Sequence, residues 1–293
     1  MGNGNLHPHQ PIKSVEIPGS FLGCVESRHM AVLARSAVLL ALFTAKNCVH
    51  GTGPTTFCNP VNINYRFSKI KPSHREAADP TMVVHNGTYW LFASKSGGYW
   101  HSTDMNNWTL VIPTGLPIED YAPMVIILEN GKFYYTAFDS AAIYSTDDPY
   151  RGNWSKVARM NHYPDPGMLV DSDGRVFMYS GCSDNGNIKA VELSNQTWKE
   201  IGASVDAVKP DSSHRGFEVG GDNNDQLSKT PWVEGAFMNK INDKYYLQYA
   251  VPGTQYKSYA DALYIGDSPL GPFTFQVYFT YMYTVCCDCQ TNL

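Results

Sequence analysis

Three acidic residues stand at corresponding places in a repeated pattern of this chain. Asp79, Asp165 and Glu234 each come at the start of a short apolar run that leads into a turn. Because equivalent positions in a repeat become equivalent positions in space, we expect the three side chains to face one another. Like charges brought together out of bulk water cannot all stay ionised, so one carboxyl group keeps its proton while another remains charged. The spacing therefore predicts acid–base chemistry.

A trio of this kind supplies the groups that inverting cleavage of a glycosidic bond requires. One carboxylic acid protonates the leaving oxygen, and a carboxylate on the opposite face activates water, with the two groups about 6.5–9.5 Å apart. A third carboxylate can tune the acid and hold it in place. Two other interpretations stay open. Asp is a routine residue of turns and strand starts, and three oxygens at one opening could hold Ca²⁺, which prefers about six to eight oxygen ligands.

The elements that must position these residues repeat with the period of a propeller blade. The turn glycines Gly87, Gly131 and Gly174 are 44 and 43 residues apart, within the range of about 40–45 residues per blade. Each turn is followed by an aromatic-rich strand and two further strand-like runs, and four strands make one blade. We therefore predict an all-β fold, a β-propeller with about four blades over residues 77–275, rather than a four-layer sandwich. The fourth turn comes later because residues 206–230 are predicted to form a long polar loop.

A propeller would bring the three carboxylates to one opening. The first strand of each blade lines the central channel, so Asp79, Asp165 and Glu234 should gather at one mouth of it. Ala122 occupies the same place in the second blade and brings no charge. The loops that follow the second strands should frame that mouth, and the loop 206–230 should overhang Glu234. These loops are residues 95–98, 138–140, 182–184 and 251–255.

The composition limits the class of protein and of partner. The chain has 293 residues, with 43 % hydrophobic and 17 % charged residues, as in a globular protein and unlike a disordered one. A net charge of −5 argues against nucleic acid, which prefers a basic surface. The apolar run 37–45 is too short to span a bilayer, so no membrane partner is predicted.

The two ends of the chain have a different character from the repeat. Residues 37–45 fit the apolar core of a secretory signal peptide, so residues 1–51 are predicted to be an N-terminal extension with a signal peptide, and the protein to be secreted. A buried N-terminal helix is the alternative. Residues 277–293 carry three crowded cysteines, without a matching pair elsewhere at zinc-site spacing, and are predicted to be an aberrant tail. We expect a monomer.

The segments around the carboxylates resemble the signature segments of a known family, glycoside hydrolase family 43. They read Ala78-Asp79-Pro80, Asp165-Pro166-Gly167 and Trp232-Val233-Glu234-Gly235. The resemblance covers roughly residues 59–276, and it implies a catalytic domain with a five-bladed β-propeller fold. It also implies inverting cleavage of polysaccharides or oligosaccharides that contain arabinose, xylose or galactose.

The resemblance also implies roles for individual residues. Asp79 matches the general base, Glu234 the general acid, and Asp165 the residue that tunes and orients the acid. Further positions are expected near the sugar, with ordinary packing as the alternative for each: Ser96, Gly97, Tyr99, Trp100 and Trp232. No cofactor and no catalytic metal are implied, and structural Ca²⁺ has no support in the sequence.

The sequence departs from the family pattern after Phe275, where no fifth turn-and-strand unit follows. The domain 59–276 is therefore expected to be incomplete. One alternative function is a glycan-binding propeller without turnover, produced by loss of the fifth blade. Another is a retaining fructan hydrolase, whose carboxyl groups lie only about 5–5.5 Å apart, but its Trp-Met-Asn-Asp-Pro and Arg-Asp-Pro signatures are missing from the sequence.

Overall fold

The computed structural model describes residue 63, residues 77–184 and residues 186–276. The predicted N-terminal extension with its signal peptide and the predicted tail 277–293 lie outside these residues. Within them, no helix is long and apolar enough to cross a membrane.

The described residues form sixteen strands in four antiparallel sheets of four. In every sheet the strands lie side by side in chain order. Blade 1 contains β1 (Thr81–His85), β2 (Thr88–Phe92), β3 (Tyr99–Ser102) and β4 (Thr109–Val111). Blade 2 contains β5 (Met124–Ile127), β6 (Phe133–Thr136), β7 (Ala142–Thr146) and β8 (Ser155–Arg159). Blade 3 contains β9 (Gly167–Val170), β10 (Val176–Ser180), β11 (Ile188–Leu193) and β12 (Glu200–Val208). Blade 4 contains β13 (Glu234–Ile241), β14 (Lys244–Val251), β15 (Ala260–Gly266) and β16 (Phe273–Phe275).

Tight turns set the register of the inner hairpins. Asn86 and Gly87 have φ of 48° and 74°, and Asn242 and Asp243 have φ of 47° and 63°. Two consecutive left-handed residues make a type I′ turn, whose twist matches that of the flanking strands. The Asn-Gly and Asn-Asp pairs in the sequence therefore fix where β1 pairs with β2 and where β13 pairs with β14.

The sheets pack face to face as the blades of a propeller. The innermost strands contact one another in order, β1 with β5, β5 with β9 and β9 with β13. Side chains alternate between the two faces of a strand, so a blade can pack against a different neighbouring blade on each face. On β10, Phe177 and Tyr179 join a buried cluster with blade 4, whereas Val176 and Met178 join another with blade 2. The predicted all-β propeller with four blades is confirmed over the described residues.

The predicted loop 206–230 begins later than expected. Residues 206–208 belong to β12, which pairs with β11 from Ile188 opposite Val208. Ala207 and Val208 are buried, so apolar packing extends the strand into a stretch that looked polar overall. The remaining insertion is anchored through Glu218, which is fully buried and lies 2.9 Å from the guanidinium Nε of Arg215. Its carboxylate also accepts hydrogen bonds from the Tyr249 hydroxyl and the Asp211 amide.

Candidate active site

A left-handed backbone residue marks the entrance to each inner strand. The φ angles are 49° at Asp79, 45° at Ala122, 53° at Asp165 and 64° at Gly235. Non-glycine residues rarely adopt this conformation, and such strain clusters at functional sites. The sequence pattern aligned Glu234 with Asp79 and Asp165, but the structure gives that place to Gly235. A bulge between Glu234 and Phe237 shifts the register, so Glu234 lies one residue earlier.

Backbone hydrogen bonds join the loops after the second strands to the segments that lead into the inner strands. The Ser94 amide donates to the carbonyl of Ala78 (2.8 Å), and the Gly181 amide donates to the carbonyl of Pro164 (3.1 Å). Each acceptor is the residue immediately before the left-handed position. The loops that start at Ser94 and Gly181 are thereby held beside Asp79 and Asp165, as the propeller geometry predicts.

Asp165 and Glu234 come together where blades 3 and 4 meet. The Gly235 amide donates a 2.7 Å hydrogen bond to Oδ2 of Asp165. Two further backbone hydrogen bonds, of 3.2 and 3.0 Å, join Ser183 to Val233 and bring the neighbouring Cys182 to the same place. The Cys182 sulfur and the nearest carboxylate oxygens of Asp165 and Glu234 all lie within 4.8 Å of one another.

Asp79 is held at the joint between blades 1 and 2. The Ser94 hydroxyl donates a 2.7 Å hydrogen bond to Oδ2 of Asp79, and it accepts one of 2.9 Å from the Ala122 amide. Ser94 is fully buried, whereas Asp79 is exposed. A buried side chain therefore fixes a carboxylate that opens to solvent.

The charges of Asp79 and Glu234 both affect the pKa of Asp165. The pKa of Asp165 is raised to about 7, first by burial and then by the negative charges of Asp79 and Glu234. The hydrogen bond from the Gly235 amide acts in the opposite direction. Burial, followed by the charges of Asp165 and Glu234, raises the pKa of the Cys182 thiol to about 12, so this thiol stays protonated at neutral pH.

Glu234 has hydrogen-bond donors on both carboxylate oxygens. The indole Nε1 of Trp232 donates to Oε2 and the hydroxyl of Tyr259 donates to Oε1, each at 2.7 Å. The Cys182 sulfur lies 3.4 Å from Oε2. Trp232 is itself held by a 2.9 Å hydrogen bond from its amide to the carbonyl of Pro252. The acid candidate thus has a fixed orientation.

Comparison with known proteins decides the family. The family model "Glycosyl hydrolases family 43" matches residues 72–282. The chain belongs to glycosyl hydrolase family 43.

The chain is also similar to curated relatives and, in its fold, to solved structures. The chain is 26 % identical to an arabinoxylan arabinofuranohydrolase of Paenibacillus polymyxa, over 70 % of this chain and 40 % of that protein. It is 27 % identical to a beta-xylosidase of Xylanibacter ruminicola, over 50 % of this chain and 53 % of that protein. The chain thus spans about half the length, or less, of these curated relatives. A thermostable family-43 glycoside hydrolase superposes with a TM-score of 0.56 and 22 % identity, over 76 % of this chain and 75 % of that structure.

Four of the five residues that the family resemblance suggested as sugar contacts have a packing role in this structure. Ser96, Gly97, Tyr99 and Trp100 are buried, with no exposed surface on Ser96, Tyr99 or Trp100. The Ser96 hydroxyl donates to the carbonyls of Ala93 and Gly98 and so holds its own loop. Only Trp232 keeps partial exposure beside the carboxylates, so its contact with a sugar stays a prediction.

The case of Tyr99 shows why these side chains are enclosed. Its ring stacks on Phe92 with centroids 4.5 Å apart, and its hydroxyl donates to the carbonyl of Pro149 at 2.5 Å and accepts from the Trp154 indole at 3.2 Å. Large aromatic groups stabilise a core most when they are fully buried with their polar ends paired. The expected sugar contact of Tyr99 is therefore corrected to packing between blades 1 and 2.

Sequence reasoning missed three residues of this family-43 site: Ser94, Cys182 and Tyr259. Cys182 lies in a loop that the repeat placed at the mouth, and Ser94 directly precedes another. Tyr259 follows the loop 251–255 by four positions. The repeat could have identified these loops as sources of contacts, but no motif marks which side chain turns inwards.

One group of side chains in the described part of the chain could also ligate a metal. It consists of Asp165, Cys182 and Glu234. Three hydrogen-bond donors already point at their carboxylate oxygens, from Gly235, Trp232 and Tyr259. Donors in this arrangement stabilise negative charge without a cation.

Proposed function

We propose that this family-43 chain is an inverting glycoside hydrolase that acts on polysaccharides or oligosaccharides containing arabinose, xylose or galactose. One observation carries the proposal. Carboxylate oxygens of Asp165 and Glu234 lie within 4.8 Å of each other, and the negative charge of Asp79 contributes to the raised pKa of Asp165. Arabinose and xylose are supported by the names of its relatives, an arabinofuranohydrolase and a xylosidase, whereas galactose comes from the sequence resemblance alone.

In the proposed reaction Glu234 is the general acid and Asp79 the general base. Glu234 gives its proton to the leaving oxygen while Asp79, open to solvent and held by Ser94, takes a proton from the attacking water. The two proton transfers require no cofactor. The water attacks the anomeric carbon from the face opposite the leaving group, so the product has the inverted configuration.

Asp165 is proposed to position the acid. Its carboxylate accepts the hydrogen bond of the Gly235 amide, and Gly235 follows Glu234 directly in the chain. Its charge changes around neutral pH, because its pKa is about 7. Asp165 can therefore adjust both the place and the electrostatic surroundings of Glu234.

The proposal is tested with 4-nitrophenyl arabinosides, xylosides and galactosides and with arabinan, xylan and galactan. Glu234→Gln and Asp79→Asn should each lower kcat/KM by about 10²- to 10⁴-fold, the usual loss for a proton-transfer group. Asp243→Asn is the matched control, because Asp243 lies in the turn just beyond the other end of β13 and is exposed. It should leave the rate unchanged.

Three results would decide against this assignment. Undiminished activity in Glu234→Gln would remove Glu234 as the acid. Proton NMR of the first-formed product distinguishes inversion from retention, and retention would transfer the chain to the fructan-hydrolase type of mechanism. Glycan binding without turnover by the wild type would instead support the non-catalytic propeller. Secretion and a monomeric state remain predictions from the sequence.

A further inference from the structure

The two oxygens of Glu234 differ in the kind of partner that each one has. Oε2 receives the Trp232 indole and the Cys182 thiol, and Oε1 receives the Tyr259 hydroxyl. An indole N–H can only donate, whereas a tyrosine hydroxyl can either donate or accept. The partners therefore impose different requirements on the two oxygens.

Trp232 requires Oε2 to be an acceptor whatever the protonation state of Glu234. A proton on Oε2 would crowd the indole N–H and would leave a half-buried donor with a weaker acceptor, which is costly. The Cys182 thiol, which stays protonated at neutral pH, donates to the same oxygen in this structure as a weaker second donor. At Oε1 the Tyr259 hydroxyl can turn and tolerate a proton.

We propose that Trp232, with Cys182 on the same oxygen, confines the transferable proton of Glu234 to Oε1, and that Tyr259 positions that proton and stabilises the charge left on Oε1. The inference rests on the proposed hydrolase function. When the bond from the anomeric carbon to the leaving oxygen breaks, its electron pair stays on that oxygen, which takes the proton from Oε1. Oε1 then carries the negative charge and accepts the hydrogen bond of the Tyr259 hydroxyl. Water adds to the anomeric carbon; one of its protons goes to Asp79 and the other stays in the new hydroxyl group.

A comparison of leaving groups tests the role of Tyr259. A poor leaving group, such as methanol or a second sugar, depends on the acid, whereas 2,4-dinitrophenolate leaves with little protonation. Tyr259→Phe should lower kcat by about 10- to 100-fold on the methyl glycoside or oligosaccharide, as expected for the loss of one hydrogen bond to a charged group. The loss on the dinitrophenyl glycoside of the same sugar should be less than about 3-fold, because protonation contributes little there.

Tyr256→Phe is the matched control for this comparison. Tyr256 lies three residues away, and its hydroxyl contacts Gln226 at 3.1 Å rather than a carboxylate of the site. It should retain the wild-type rate on both substrates. Equal losses in Tyr259→Phe on both substrates would mean a purely structural role, and no loss on either would remove Tyr259 from the mechanism. Both outcomes overturn the proposal, while the Glu234→Gln result stands apart as the test of the hydrolase function.

A second measurement does not depend on activity. The single amide oxygen of Glu234→Gln must take the place of Oε2 if Trp232 dictates the orientation, with the NH₂ group at the place of Oε1. The indole N–H signal of Trp232, assigned with Trp232→Phe, should then keep its hydrogen-bonded shift in ¹H–¹⁵N spectra. Glu234→Leu should move it to the position of a free indole. An indole signal in Glu234→Gln that matches that of Glu234→Leu would contradict the proposal, even for a chain that cleaves no substrate.

Discussion

The Gly235 amide donates a 2.7 Å hydrogen bond to Oδ2 of Asp165, which joins the entrances of the inner strands of blades 3 and 4. The corresponding joint between blades 1 and 2 uses one more side chain: the Ala122 amide donates to Ser94, which donates to Asp79. In both joints, the amide of the left-handed residue in the later blade is linked by hydrogen bonds to the carboxylate of the earlier blade. The link is direct from Gly235 to Asp165 and passes through Ser94 from Ala122 to Asp79. The hydrogen bonds that join neighbouring blades therefore also fix the positions of the carboxylates.

The joint between blades 3 and 4 depends on the missing side chain of Gly167. A Cβ at this position would overlap the carbonyl oxygen of Ala236 on β13. We expect Gly167→Ala to lower the free energy of unfolding by about 1–3 kcal/mol, as overpacking does, and to lower kcat by up to about 100-fold through displacement of Glu234. Urea unfolding and steady-state kinetics measure the two effects. Gly216→Ala is the control, because nothing lies within 4 Å of a Cβ there, and equal effects in both variants would contradict this account.

Ser94 provides a test at the other joint. Ser94→Ala removes the donor to Asp79 and leaves the buried Ala122 amide without its acceptor. The expected cost is about 1–3 kcal/mol in the free energy of unfolding, together with a lower kcat because Asp79 loses its fixed orientation. Ser96→Ala removes an equally buried hydroxyl that bonds only to carbonyls of its own loop. It should lose stability with little change in KM, and a large rise in KM would restore Ser96 as a sugar contact.

The sequence carried enough information for the fold and for bringing Asp165 close to Glu234. The turns at Gly87, Gly131 and Gly174 recur with the blade period, and left-handed turn geometry at Asn-Gly and Asn-Asp pairs fixes the hairpin register. Asp79 and Asp165 occupy one repeated backbone position, so the fold places each of them at the entrance of an inner strand. Glu234 was misaligned by one residue, because the bulge that shifts it leaves no sign in the residue types.

Side-chain contacts at the mouth were much less accessible to sequence reasoning. Which face of β3 becomes enclosed depends on residues of blade 2 such as Trp154, 55 positions away, so the local sequence does not show that Tyr99 is buried. The contact of Tyr259 with Glu234 depends on the path of residues 252–259, and turns of this kind have no periodic pattern. Contacts of this kind follow from tertiary packing rather than from local sequence.

The raised pKa of Asp165 makes stability depend on pH in a defined direction. The folded protein releases this proton at about pH 7, against an ordinary value of 3.8, so between these limits it binds more protons than the unfolded chain. Stability should therefore fall as pH rises from about 4 to 7. Asp165→Asn keeps an acceptor for Gly235 but removes the titration, so its Tm should fall less than that of the wild type between pH 5 and 8.

A matched control for the Asp165 experiment is Asp173→Asn in the same blade. Hydrogen bonds from Arg175 lower the pKa of Asp173, so its contribution is lost only as pH falls below the ordinary range of a carboxyl group. Asp173→Asn should therefore follow the wild type between pH 5 and 8. Parallel Tm curves for Asp165→Asn and the wild type would show that Asp165 does not titrate in this window.

The buried ion pair between Arg215 and Glu218 holds the insertion, residues 209–230, which precedes Glu234 in the chain. Glu218→Gln keeps the size of the side chain but leaves the Arg215 guanidinium, with 14 % exposure, beside a neutral partner. Removing one member of a buried pair costs about 3–5 kcal/mol because the other charge stays desolvated. We therefore expect a lower urea midpoint and faster tryptic cleavage in residues 209–230. Asp222→Asn neutralises an exposed partner of Lys257, 3.9 Å away, and should change the free energy of unfolding by less than about 1 kcal/mol. Equal urea midpoints for the two variants would show that the insertion is held by its apolar contacts instead, such as Phe217 stacked on Phe275.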